Sequence, residues 1–143
     1  MSQKKYKVGY TTGVYDMFHI GHLNILRRAK EQCEYLIVGV STDELVRTYK
    51  HKTPVIPFEN RLAIVEAIRY VDKVVAQTSM DKAEAWQTLH FDAVFHGDDW
   101  KGSAIYDEVE NKLKALGVDM VFLPHTDGVS STMLSEKVPE KVL

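Results

Sequence analysis

The chain carries a single cysteine, Cys33, in 143 residues. No intramolecular disulfide can form, and a lone thiol fits a reducing compartment. Long apolar runs are also missing, since none approaches the ~18 residues of a membrane span. The first residues are polar and do not resemble a signal peptide, so a cytoplasmic location is expected. Charge of one sign is lacking as well: 18 Lys and Arg against 20 Asp and Glu leave a formal net charge of -2. Nothing about the whole surface therefore calls for nucleic acid, and any basic site must be local. What remains is 45% hydrophobic and 27% charged residues, an ordinary composition for one globular domain able to bury a core.

Patterning supplies the architecture. Residues 6–12 read as a strand, and residues 22–32 repeat Leu23, Ile25, Leu26 and Ala29 at near-helical spacing. Residues 35–40 form a continuous apolar run of strand length, as expected of a parallel strand covered on both faces. Ser41-Thr42-Asp43-Glu44 offers a hydroxyl cap and early acids for a short helix. Residues 47–57, with Arg47, Lys50, His51, Lys52, Pro54 and Pro57, read as a basic loop. A helix is expected over 58–69, burying Leu62, Val65 and Ile68 and turning Arg61 and Arg69 to other angles. Strands near 74–76, 93–95 and 120–123 alternate with helices over 82–89, 105–116 and 132–137. This strand–helix alternation predicts a parallel sheet with helices on both faces. In such a sheet ligands sit beyond the carboxyl ends of the strands, so loops 11–22, 41–44, 77–80, 97–100 and 124–131 converge.

The stretch Gly13-Val14-Tyr15-Asp16-Met17-Phe18-His19-Ile20-Gly21-His22 stands out. A glycine turn between a first strand and a first helix is a natural phosphate site. His19 and His22 lie three apart on one helix face. They could ligate zinc or cap the helix, but no cysteine partner accompanies them, and donors at a helix start suit a phosphoryl group gaining charge in its transition state. No Gly-Lys-Ser/Thr follows, which excludes a Walker loop, and the glycine spacing is not a dinucleotide fingerprint. Lys50 and Lys52 are either solvated surface or an arm that neutralises a triphosphate. Arg61 and Arg69 are either surface ion-pair partners or phosphate forks. Asp98, Asp99 and Asp16 could meet Mg²⁺ through phosphate or cap a helix. Ser130 and Ser131 either cap the last helix or hold an anion there.

Five stretches together carry a resemblance: residues 13–22 with His19-Ile20-Gly21-His22, then Ser41-Thr42-Asp43-Glu44, Arg69-Tyr70-Val71-Asp72, Gly97-Asp98-Asp99-Trp100 and Thr126-Asp127-Gly128-Val129-Ser130-Ser131. In that order they resemble the cytidylyltransferase branch of the nucleotidyltransferase superfamily, most of all its bacterial glycerol-3-phosphate cytidylyltransferases. The resemblance implies a Rossmann-like three-layer α/β sandwich with a five-stranded parallel sheet, a homodimer, and Mg²⁺ as cofactor. It implies transfer of a cytidylyl group from CTP to a small phosphomonoester, releasing pyrophosphate by in-line attack. His19 and His22 would stabilise the transferring phosphoryl group, Lys50 or Lys52 the triphosphate, and Arg61 and Arg69 phosphates. Gly13, Val14, Tyr15 and Asp16 would line the nucleotide site, Asp98 would lie near base or metal, and Thr126, Ser130 and Ser131 would meet the β- and γ-phosphates. Adenylyl transfer and nucleotide binding without turnover are the alternatives. Two positions depart from the family pattern: His125 stands where an arginine is common, and Val14 where the glycerol enzymes tend to have threonine.

Overall fold

A computed structural model describes residues 4–97 and 104–124. Strand β1 (Tyr6–Gly13) is followed by α1 (Ile20–Gln32), β2 (Cys33–Ser41), α2 (Asp43–Lys50) and α3 (Phe58–Glu66). The chain continues through β3 (Lys73–Gln77), α4 (Lys82–Leu89), β4 (Ala93–Gly97), α5 (Ala104–Ala115) and β5 (Asp119–Leu123). All strands are parallel, in the order β3-β2-β1-β4-β5. The parallel sheet expected from the alternation, and the Rossmann-like three-layer sandwich implied by the resemblance, are the architecture observed.

Side-chain alternation divides the core between the two faces. Leu36, Val38 and Val40 of β2 join Leu26 and Ala29 of α1 and Val65 of α3. Ile37, between them in sequence, points the other way and joins Tyr10, Phe91, Val94 and Leu113 of α5. A period of two on strands buried on both sides produces this split. Gly39 lies on the second face, where an added Cβ would stand 2.6 Å from the Tyr10 hydroxyl. A side chain there would displace the phenol.

Two boundaries differ from the pattern reading in ways that matter. First, α2 runs on through Lys50, and His51 caps it with a left-handed φ of 57°. The basic loop therefore spans only 51–57, and Lys50 belongs to a helix end. Second, α3 stops at Glu66, with Ala67 as its cap. Arg69 lies in the following turns and does not share a helix with Arg61. Asp72 closes that segment against the sheet: its Oδ2 accepts from Leu36 N at 2.7 Å and from Lys30 Nζ at 2.6 Å. The expected helix over 132–137, with Asp98, Asp99, His125, Thr126, Ser130 and Ser131, lies outside the described residues.

From β1 the chain winds outward to β2 and β3, then returns to place β4 on the other flank of β1. The carboxyl ends of β1 and β4 thus form the point where winding reverses, and there the connections diverge and leave a crevice.

Candidate active site

A cavity of about 270 Å³ opens at that reversal point. Its floor is the end of β1, from Thr11 to Gly13, and the turn Val14–Met17; His96 and Gly97 of β4 form one wall. His22 of α1 and Lys50 and Lys52 face it from the other sides. Asp16 is the one carboxylate among the described lining residues. The cavity is thus cationic in character, although the whole chain is slightly acidic.

The turn after β1 is tightly wound. Tyr15 and Met17 both have left-handed backbones, with φ of 55° and 49°. Such conformations in non-glycine residues cost on the order of 1–3 kcal/mol each and persist where surrounding contacts enforce them. Tyr15 is held by burial, with its ring edge-on to His22 at 5.4 Å. Gly13 makes that burial possible, because a Cβ there would meet the Tyr15 ring at 3.0 Å.

His19 is the N-cap of α1, and its Nδ1 accepts from Gly21 N at 3.0 Å. His22, three residues on, accepts from His19 N through its own Nδ1 at 3.2 Å. This is a reciprocal capping box built from two imidazoles. The rings stack with centroids 3.9 Å apart. Capping fixes the tautomer of both: with each Nδ1 accepting, the proton of the neutral ring sits on Nε2. Burial lowers the His19 pKa, and burial, His19 and Lys50 push His22 down to about 3. Both rings are therefore neutral near pH 7, each offering an Nε2–H. His19 Nε2 is buried with no hydrogen-bond partner among the described residues. The helix-cap role and the phosphoryl role are thus compatible, since they use opposite nitrogens. The first turn of α1 also carries no acidic residue to compete with an anion.

Lys50 and Lys52 both face the cavity. Burial and Lys52 depress the Lys50 pKa, while Asp16 raises it. Two arginines sit differently from expectation. Arg61 is completely buried. Its Nε donates to Ile56 O at 2.8 Å, its Nη1 to Val14 O and Ser41 O at 2.7 Å each, and its Nη2 to Asp43 Oδ1 at 2.6 Å. A guanidinium spent on three carbonyls and a carboxylate has no fork left for phosphate. Its place among nucleotide ligands is corrected to that of an internal tie. Arg69 is exposed, stacks on Tyr70 with 5.1 Å to the ring centroid, and does not line the cavity. Asp16 lines the cavity, yet its two oxygens accept from Val55 N and Ile56 N at 2.8 and 2.9 Å. Gly13, Val14 and Tyr15 line the cavity.

Two residues at this edge were not singled out by pattern. His96 is buried at the end of β4, and burial and Lys82 push its pKa down to about 3. Lys82, the first residue of α4, is only 4% exposed, and burial pushes its pKa down to about 8. The signal available in sequence was faint, a lysine directly after the Asp81 cap and beyond the end of β3. Among the described residues no group of three His, Cys, Asp or Glu could hold a metal ion. No helix among them is long and apolar enough to cross a membrane.

Comparison with known proteins gives the same direction. The model of a family described as cytidylyltransferase-like matches residues 10–137. The chain is 35% identical over 129 residues to glycerol-3-phosphate cytidylyltransferase of Bacillus subtilis, covering 90% of this chain and 94% of that one. It is 34% identical over 137 residues to FAD synthase of Pyrococcus horikoshii, covering 90% and 89%. Among solved structures, a lipopolysaccharide core biosynthesis protein from Thermoplasma volcanium superposes with a TM-score of 0.75 at 27% identity, covering 85% of this chain and 99% of that one.

Proposed function

Because the chain belongs to the cytidylyltransferase-like family of nucleotidyltransferases, we propose that it transfers a cytidylyl group from CTP to a small phosphorylated alcohol of the glycerol-3-phosphate kind. The observation that carries this reading is the stacked pair of neutral imidazoles, tied to the backbone through Nδ1, of which His22 lines a lysine-flanked cavity at the sheet's reversal point.

An oxygen of the acceptor phosphate attacks the α-phosphorus of CTP in line, a new P–O bond forms, and the bond to the bridging oxygen breaks to release pyrophosphate. In-line transfer of this kind asks the protein for position and charge stabilisation. His19 and His22 donate Nε2–H to oxygens that gain charge in the transition state. Lys50 and Lys52 neutralise the departing phosphates. Neither lysine is favoured over the other, since both face the cavity. Lys82 would hold the acceptor phosphate. It lines a neighbouring cleft and not this cavity, but its ammonium, buried beside Asp81, lies near enough to His96, a wall of the cavity, to lower that ring's pKa.

For Mg²⁺ the described residues form no cage, and both Asp16 oxygens already accept backbone bonds. Magnesium is accordingly proposed to arrive with the triphosphate, where it would help neutralise the phosphate charge. A homodimer is proposed from the resemblance, and sedimentation velocity tests it.

The decisive experiment measures pyrophosphate release with CTP and with ATP against glycerol-3-phosphate, phosphoethanolamine, phosphocholine and FMN. Release with CTP and a phosphorylated alcohol is expected. Release only with ATP and FMN would replace this reading with adenylyl transfer, the alternative favoured by the similarity to an FAD synthase. CTP raising Tm with no turnover on any acceptor would leave a binding module. Within the active enzyme, Lys82→Met is expected to raise the acceptor KM about tenfold or more while leaving the KM for CTP nearly unchanged.

A further inference from the structure

We infer that Asp16 is a positioning residue that sets Lys50 and Lys52 against the nucleotide turn by clamping the 51–57 segment, and that it does not bind nucleotide itself. The inference rests on the triphosphate role proposed above for the two lysines.

Four bonds hold the downstream end of this segment. Asp16 accepts from Val55 N and Ile56 N, Arg61 Nε donates to Ile56 O, and Asp43 Oδ2 accepts from Phe58 N at 3.2 Å. The upstream end is the last turn of α2, closed by His51 N to Arg47 O at 3.1 Å. Between the anchors, Lys52 and Thr53 are exposed and make no hydrogen bond among the described residues. The lysines thus sit on a short span suspended between a helix end and a carboxylate that belongs to the nucleotide turn itself.

A carboxylate in a cationic phosphate cavity would by itself repel a triphosphate. The backbone bonds explain its presence. Both oxygens are committed to amides, so the charge is partly spent on the loop. Its position between left-handed Tyr15 and Met17 gives the local strain a purpose, since the kink brings this carboxylate to the loop. The residual charge also favours the ammonium form of Lys50 against burial and Lys52.

A double-mutant cycle tests the clamp. Steady-state turnover with CTP and isothermal titration of CTP are measured for the wild type, Asp16→Asn, the pair Lys50→Ala/Lys52→Ala, and the triple variant. Asp16→Asn is expected to raise the KM and Kd for CTP about tenfold, up to a hundredfold, as displacement of a binding group by an ångström does. In the lysine-free background the same change should have almost no further effect. Equal fold losses with and without the lysines would overturn the inference, since Asp16 would then touch the nucleotide or merely stabilise the fold. A lysine pair whose removal leaves CTP affinity unchanged would overturn the triphosphate assignment beneath it. Should Asp16→Asn not fold, insertion of two glycines between Lys52 and Thr53 replaces it. This exposed lengthening leaves every anchor intact, and unaltered CTP affinity in that variant would equally overturn the clamp.

Discussion

Two polar clusters meet at the carboxyl edge of the sheet, the His19–His22 pair and the Arg61 hub, and they differ in what they leave unspent. The histidines use Nδ1 to finish the helix and leave Nε2 unspent, His19 Nε2 being buried without a hydrogen-bond partner among the described residues and His22 lining the cavity. Arg61 directs its donors inward and is completely buried. Residue type alone would rank the arginine first as a phosphate ligand. Accounting for each donor reverses that order, because a hydrogen bond already made inside the protein is not available to a substrate.

The contrast can be broken most strongly at His22. His22→Ala is expected to lower kcat by about 10²–10³ with little change in the KM for CTP, the loss typical of removing one transition-state donor. Equal losses in kcat and in CTP affinity would mean that the imidazole only holds the ground state. Arg61→Met should show the opposite profile, a stability loss of about 3 kcal/mol in denaturant titration, because three carbonyls and Asp43 lose their donor. A variant with wild-type stability and weakened phosphate binding would restore Arg61 to the ligands.

Acid titration of stability probes the neutral rings. His22 and His96 sit near pKa 3 in the fold, against 6.5 for the free side chain. The unfolded chain therefore binds more protons between those values, so stability should be full above pH 6.5 and decline as pH falls toward 3. Each group contributes a slope of at most about 1.4 kcal/mol per pH unit. His96→Gln should flatten the slope, and an unchanged slope would refute the assignment. The smallest effect separates the two jobs of one ring. His19→Asn keeps a capping oxygen, so stability should stay within about 0.5 kcal/mol, while turnover still falls sharply because the Nε2–H is gone. Recovery of turnover with the cap would reduce His19 to a helix end.

Much of this could be read before any coordinates. Apolar runs such as Tyr35-Leu36-Ile37-Val38 are periodic, and periodicity reflects burial on both sheet faces. Thr42 and Gly13 advertised a helix start and a turn through local chemistry. The turn with its two histidines and the pair Lys50 and Lys52 were likewise visible, and the cavity collects His22, Lys50, Lys52, Gly13, Val14 and Tyr15. The misreadings share one cause. Arg61 lies on the same face of α3 as Val65, four residues on, and the pattern treats any arginine as outward-facing. Asp16 and Lys82 carry charges whose partners or surroundings come from segments distant in sequence, so no local rule could place them.

By itself, then, the sequence determined the alternation of elements, the parallel sheet and the position of the candidate site at the first helix. These depend on interactions within a few residues and on the burial of whole segments. Only the tertiary structure decided which polar groups face a substrate and which tie the protein to itself. That choice turns on hydrogen bonds between β1, β2, α2 and the 51–57 segment, whose geometry exists only once the chain has folded.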